Sequence, residues 1–148
     1  MDYLTQDFRL ALPDTAHQDM SVNILKFPAF SATLVVTRGA LEGQTLEQNF
    51  DQQMKRLSQQ VKNFHFHDRR AVTVGAASDI PGIEIRNQFV RGPEKVFQYQ
   101  LACQLPDAPV MLALSYVKAE PLGDADLAHW EAIKASLAFT AADGAPGG

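Results

Sequence analysis

The sequence predicts an α+β domain: an antiparallel β-sheet with two helices packed on one face and the other face concave and open. Three observations carry this. From Phe64 to Val117 apolar and polar residues alternate in runs broken by turns rich in Gly, Pro and Asp, the pattern of strands joined by short connections. Only two stretches, after Thr45 and after Gly123, switch to the three- and four-residue spacing of amphipathic helices. Two helices cover one face of such a sheet, which leaves the second face accessible.

Bulk properties set the frame. The 148 residues are enough for one domain with a genuine core, read as residues 1–140, followed by a flexible tail over residues 141–148 that holds Gly144, Pro146, Gly147 and Gly148. A hydrophobic fraction of 46% and a charged fraction of 20% are ordinary for a globular domain. The net charge of −4 disfavours non-specific nucleic-acid binding, which needs a basic footprint. No apolar run reaches the ~18 residues of a membrane span. The N-terminal residues lack the basic-then-apolar pattern of a signal peptide. Cys103 is the single cysteine, so no internal disulfide forms, and a cytoplasmic location is expected.

Taken in order, Phe8, Leu10 and Leu12 alternate and predict a strand ended by Pro13-Asp14, with a polar loop over Thr15 to Met20. Ser21 to Phe27 is the next strand. It sends Val22, Ile24 and Lys26 to one side and Ser21, Asn23, Leu25 and Phe27 to the other. Neither side is cleanly polar, so two readings stand: a central strand buried on both faces, or a strand with one face on the core and one on a partner. Ser31 to Arg38 is β-branched and forms its hairpin partner across Phe27-Pro28-Ala29-Phe30. Leu46, Phe50, Met54, Leu57 and Val61 then mark a helix, with Thr45 and Gln48 as its capping box and Asn63 as its left-handed stop.

Phe64-His65-Phe66-His67 opens a strand that continues through Ala71 to Val74. Residues 83–90 and 96–105 form a hairpin across Arg91-Gly92-Pro93-Glu94. In the second of these strands Phe97, Tyr99, Leu101 and Cys103 share one face, and Gln98, Gln100, Ala102 and Gln104 share the other. Val110 to Val117 is the most apolar strand and belongs near the sheet centre. Asp124 is the expected N-cap of the last helix, whose buried stripe is Leu127, Trp130, Ile133 and Leu137.

Little in the chain looks catalytic, and no enzyme activity, cofactor or metal is expected. His65 and His67 share a strand face, but no third metal ligand is identifiable beside them, and two exposed histidines are the plainer reading. Cys103 lies in an apolar row and reads as a small buried hydrophobe. There is no phosphate-binding glycine loop and no nucleophile elbow. What stands out is a surface of aliphatics and amides: Val22 and Ile24 on the early strand, Gln98 and Gln100 on the later one. Such a surface suits an apolar helix, because the aliphatics bury its side chains and uncharged amides satisfy its polar groups in a dry interface. The competing reading is a solvated sheet face.

The order and spacing of several pieces carry a resemblance over about Tyr3 to Phe139. These are Gln18 to Pro28, Leu34-Val35-Val36-Thr37-Arg38, the helix with Phe50 and Gln53, then Phe64, Gln98-Tyr99-Gln100, the strand Val110 to Tyr116, and Trp130 in a helix ending Ser136-Leu137-Ala138-Phe139. Together they resemble the DcrB-related proteins, and within them the effector-associated (Eag) chaperones of bacterial type VI secretion systems. The resemblance implies a Mog1/PsbP-like fold and a homodimer. It implies a partner too: the hydrophobic N-terminal transmembrane helices of a secreted effector that carries a PAAR domain, shielded before export without the chaperone itself entering a membrane. Carried over to this chain, the client-contacting aliphatic pair is Val22 and Ile24, with Thr37, Gln53, Leu57, Val61 and Gln100 as further groove positions. Val22 is smaller than the isoleucine expected there, and Leu57 is larger than the small residue that can occupy its position. The alternative function is a non-catalytic binding module of the same fold with a different partner.

Overall fold

The computed structural model describes residues 2–4, 9–11, 21–67, 69–106 and 108–139. A short two-stranded ladder pairs β1 (Asp2–Leu4) with β2 (Arg9–Ala11). The strand expected around Leu10 is therefore present; its flanks at Phe8 and Leu12, the loop over Thr15 to Met20 and the tail over residues 141–148 lie outside the described residues.

The main sheet has seven antiparallel strands: β3 (Asn23–Phe27), β4 (Ala32–Ala40), β5 (Lys62–Phe66), β6 (Arg70–Val74), β7 (Ile80–Arg91), β8 (Glu94–Gln104) and β9 (Val110–Lys118). Their spatial order is β3-β4-β9-β8-β7-β5, and β6 also pairs with β7. The apolar strand β9 is central, as its composition predicts. A short 3-10 turn over Pro28–Phe30 closes the β3–β4 hairpin, and Gly92 at φ 59° closes the β7–β8 hairpin.

Two local expectations give way. Residues 64–74 do not form one strand: β5 ends at Phe66, β6 begins at Arg70, and the two lie along successive parts of β7. Asn63 is left-handed, at φ 54°, but it does not end the helix. It sits inside β5 where the register with β7 shifts, so its tolerance of positive φ is spent on a bulge.

The helices are α1 (Leu46–Gln60) and α2 (Asp124–Ala135). The α1 capping box forms as predicted: Thr45 Oγ1 accepts from the Gln48 amide at 3.1 Å, and Gln48 Oε1 accepts from the Thr45 amide at 3.0 Å. In α2 the N-cap is Gly123 rather than Asp124. The cap is closed from inside the helix, by Asp126 Oδ2 accepting from the Gly123 amide at 2.9 Å.

The expectation that both helices share a face is corrected by the packing. Alternate residues of one strand join different clusters. Tyr99, Leu101, Cys103, Leu112, Leu114 and Tyr116 pack with Trp130 of α2. Ala102, Met111, Ile83 and Ile85 pack with Phe50 of α1. Since side chains alternate across a sheet, α2 covers one face and α1 the other. The number of helices does not decide which face each covers; the connections that place them do. The α1 crossover starts beside β4 and β9, where the Leu41 amide bonds the Pro109 carbonyl, and ends beside β7 at Lys62 opposite Val90.

The α2 face is the better filled. Trp130, Tyr116 and Cys103 are fully buried, and Tyr99 stacks on Trp130 at 5.8 Å. Burial raises the Cys103 thiol to about 11, which fits an inert buried residue rather than a nucleophile. Leu127 departs from the predicted stripe and is exposed; Asp126 and Lys134 are the buried polar residues of α2. Lys134 and Trp130 both donate to Glu84 Oε2, and Arg70 donates to Glu84 Oε1 at 2.7 Å.

Candidate functional site

Among the described residues β3 is an edge strand, not a central one. That resolves its two-sided apolar pattern. Val22 is 55% exposed and Ile24 61% exposed, while Phe27 packs into the α2 core cluster. Leu25 shares the Phe27 side but is itself half exposed.

The register sets what stands beside Ile24. It pairs with Val35, Val35 with Ser115, Ser115 with Gln100, and Gln100 with Ile85. This row crosses β3, β4, β9, β8 and β7 on the α1 face. Its inner end, Ile85, is covered by α1. Its outer end is exposed at Ile24, and Val35, Ser115 and Gln100 between them are only half-buried. Neighbouring rows add Thr33 and Val117, also half-buried. Val35 and Val117 belong to neither core cluster. The uncovered part of the α1 face is thus a floor of aliphatics at the edge and polar groups toward the helix.

Those polar groups are held in place. Asn87 Nδ2 donates to Gln100 Oε1 at 2.7 Å, and Gln100 Nε2 donates to Ser115 Oγ at 3.2 Å. The chain spans three strands and fixes the orientation of the Gln100 amide. Asn87 is 3% exposed, and its Oδ1 has no hydrogen-bond partner among the described residues. Such a group is uncommon in a folded interior. Arg38 holds the start of β3 from the opposite face, donating to the Ser21 carbonyl at 3.1 Å and to Asn23 Oδ1 at 2.9 Å. The floor rows from Ile24 to Ile85 and from Thr33 to Gln98 contain no ionisable side chain; Lys26, opposite Thr33, is the charged residue at their outer end.

The predicted residues divide accordingly. Ile24, Thr37 and Gln100 share the α1 face, and alternation from Asn23 places Val22 on it too. Thr37 is half-buried opposite Ala113, where the floor meets the α1 cluster. Gln98 is on the same face but only 5% exposed, so it is part of the interior rather than of an open amide row. Leu57 and Val61 are half-buried and outside the α1 core cluster. Gln53 is exposed on α1, its amide donating to Asn49 Oδ1 at 2.8 Å, and nothing in the register sets it against the floor. Asn87 and Ser115 were not singled out in the sequence. The signal was there: each interrupts an apolar row, Asn87 between Ile85 and Phe89 and Ser115 within Val110 to Val117.

His65 and His67 are exposed, and among the described residues no group of three or more His, Cys, Asp or Glu side chains is placed to hold a metal ion. Among the same residues no helix is long and apolar enough to cross a membrane.

The DcrB family model matches residues 8–136 of the chain. No curated protein matches it. Among solved structures, the chain is similar to the crystal structure of PA94 from Pseudomonas aeruginosa, a protein of unknown function described as a candidate regulator. The two share 23% identity at a TM-score of 0.72, over 95% of this chain and 97% of that one. At that identity the likeness shows a shared fold.

Proposed function

This chain belongs to the DcrB family, and from that premise we propose that it is a cytoplasmic chaperone that binds and shields the N-terminal transmembrane helices of a PAAR-containing type VI secretion effector before export. The observation that carries the reading is the exposed aliphatic edge of β3, continuous with a fixed hydroxyl and amide row on the same sheet face. Val22 and Ile24 take the apolar side chains of the client, at roughly 25 cal/mol per Å² of apolar surface withdrawn from water. Ser115 and Gln100 meet its polar groups without placing a charge in the interface.

Dimensions support one helix per protomer. The floor formed by β3, β4 and β9 is about 10 Å wide at ~4.8 Å between strands, close to the ~10 Å diameter of a helix. A client with two or more helices then needs two protomers, which is why the reading includes a homodimer. An edge strand with aliphatics on both sides is also a surface that proteins ordinarily cover.

Co-expression tests it. The chaperone is expected to co-purify with an effector fragment that contains the apolar helices and not with the soluble toxin domain alone. Recovery of the toxin domain in preference to the helices would refute the reading.

A further inference from the structure

A second concavity lies at the opposite edge of the sheet from β3, between α1 and the β5–β6 segment. It has a volume of about 490 Å³ and is walled by Phe50, Met54, Phe64, Phe66 and Ile85. It is not a packing defect of the core, because it opens to solvent beside Phe66, which is 59% exposed. Water is a poor occupant, since these walls offer few of the two to four polar partners that a held water needs. A single aromatic side chain from a partner would leave most of the space empty. The volume lies instead within the ~300–1,000 Å³ typical of small-molecule sites.

The mouth has a sign. Asp51 and Arg69 sit there and neutralise one another at 3.0 Å. Lys55 is the third charged residue of the mouth and forms no ion pair among the described residues, so the described part of the rim carries one positive charge in excess. An apolar chamber whose described rim has one net positive charge matches an apolar chain with a single anionic end.

We propose that this cavity binds a single-chain carboxylate amphiphile, a medium-chain fatty acid, with its tail between the Phe64–Phe66 pair and Met54 and its carboxylate at Lys55. Phe64 and Phe66 lie 5.5 Å apart and tilted, forming one continuous apolar wall for the tail. The site is separate from the β3 floor and does not rest on the chaperone reading.

Isothermal titration of the full chain with sodium dodecanoate, kept below its micelle-forming concentration, tests this. One saturable site is expected, with dodecyltrimethylammonium binding about tenfold more weakly, the scale of one charge-assisted contact. Lys55→Glu is expected to remove that preference. Ser58→Phe, which fills the cavity from its rim, is expected to abolish binding while the melting transition is kept. Should Ser58→Phe not fold, Phe66→Asp at an exposed position gives the same readout. Absence of saturable binding, equal affinity for the cationic amphiphile, or unchanged affinity in a folded rim variant would overturn the proposal.

Discussion

Glu84 shows most clearly how single residues hold this fold. Burial alone would raise its carboxyl pKa, but hydrogen bonds from Lys134 and Arg70, the Lys134 charge and the Trp130 indole outweigh that and bring it below its ordinary value. Asp126 behaves alike: burial pushes it up, and the Gly123 amide, Lys118 and Tyr116 pull it further down. A carboxyl whose pKa is lower folded than unfolded stabilises the fold at pH above its unfolded value, and that contribution is lost as pH falls through the folded value. The melting temperature is therefore expected to be flat from neutral pH to about pH 5 and to fall below about pH 4; Glu84→Gln should flatten part of that acid limb in a calorimetric pH series. Removing Glu84 altogether leaves the buried Lys134 with one carboxylate, the exposed Glu131 at 2.9 Å. Glu84→Ala is expected to cost about 3–5 kcal/mol in denaturant titration, and restoring an apolar pair with Lys134→Met in the same chain should recover much of it. None of this network was legible in the sequence. Glu84 occupies one strand position among alternating residues, and its partners Lys134 and Trp130 lie about fifty positions away, with no local pattern linking them.

At the scale of elements, local chemistry was readable and placement was not. The α1 start was legible because a capping box is a four-residue pattern that satisfies its own amides. Thr45→Ala is expected to cost about 1 kcal/mol of stability, measured by thermal unfolding. The strand alternation of β7, β8 and β9 was legible for the same reason: period two is local. The face each helix covers depends on its crossover, and that produced the error of placing both on one side. The edge position of β3 was likewise hidden, since an edge strand exposed on one face and a central strand can carry the same residues. The β3–β4 hairpin is held down by α2: His129 stacks on Phe30 at 4.0 Å, meets the edge of Phe27 at 4.7 Å and lies 3.0 Å from the Tyr116 hydroxyl. His129→Ala is expected to speed hydrogen exchange of the amides from Leu25 to Phe27 while leaving those of β8 and β9 protected, because local opening follows the loss of local packing. Gly75 marks a second junction. At φ 92° its Cβ position lies 2.9 Å from the Leu137 carbonyl, so a side chain there would push the β6–β7 turn off the end of α2.

For the whole molecule, the sheet has two differently finished faces. The α2 face is closed by aromatics and buried ion pairs. The α1 face is divided by its helix into a floor reaching the β3 edge and a cavity reaching β5 and β6. The sequence pointed to Val22 and Ile24 through their disagreement with a half-buried strand pattern, and that disagreement is where function is expected when local rules fail. It could not point to Asn87 and Ser115 as partners of Gln100, since only the register of three strands brings them together. In the proposed function, the exposed β3 aliphatics bind apolar client helices. The most direct measurement is a pull-down of the effector's N-terminal helical fragment by the wild-type chain and by the Val22→Asp, Ile24→Asp double variant. Surface substitutions of this kind change stability by about 0.5 kcal/mol or less, so the variant should melt as the wild type does. Loss of the client from a folded variant is expected. A folded variant that retains the client at wild-type yield would contradict the proposed function.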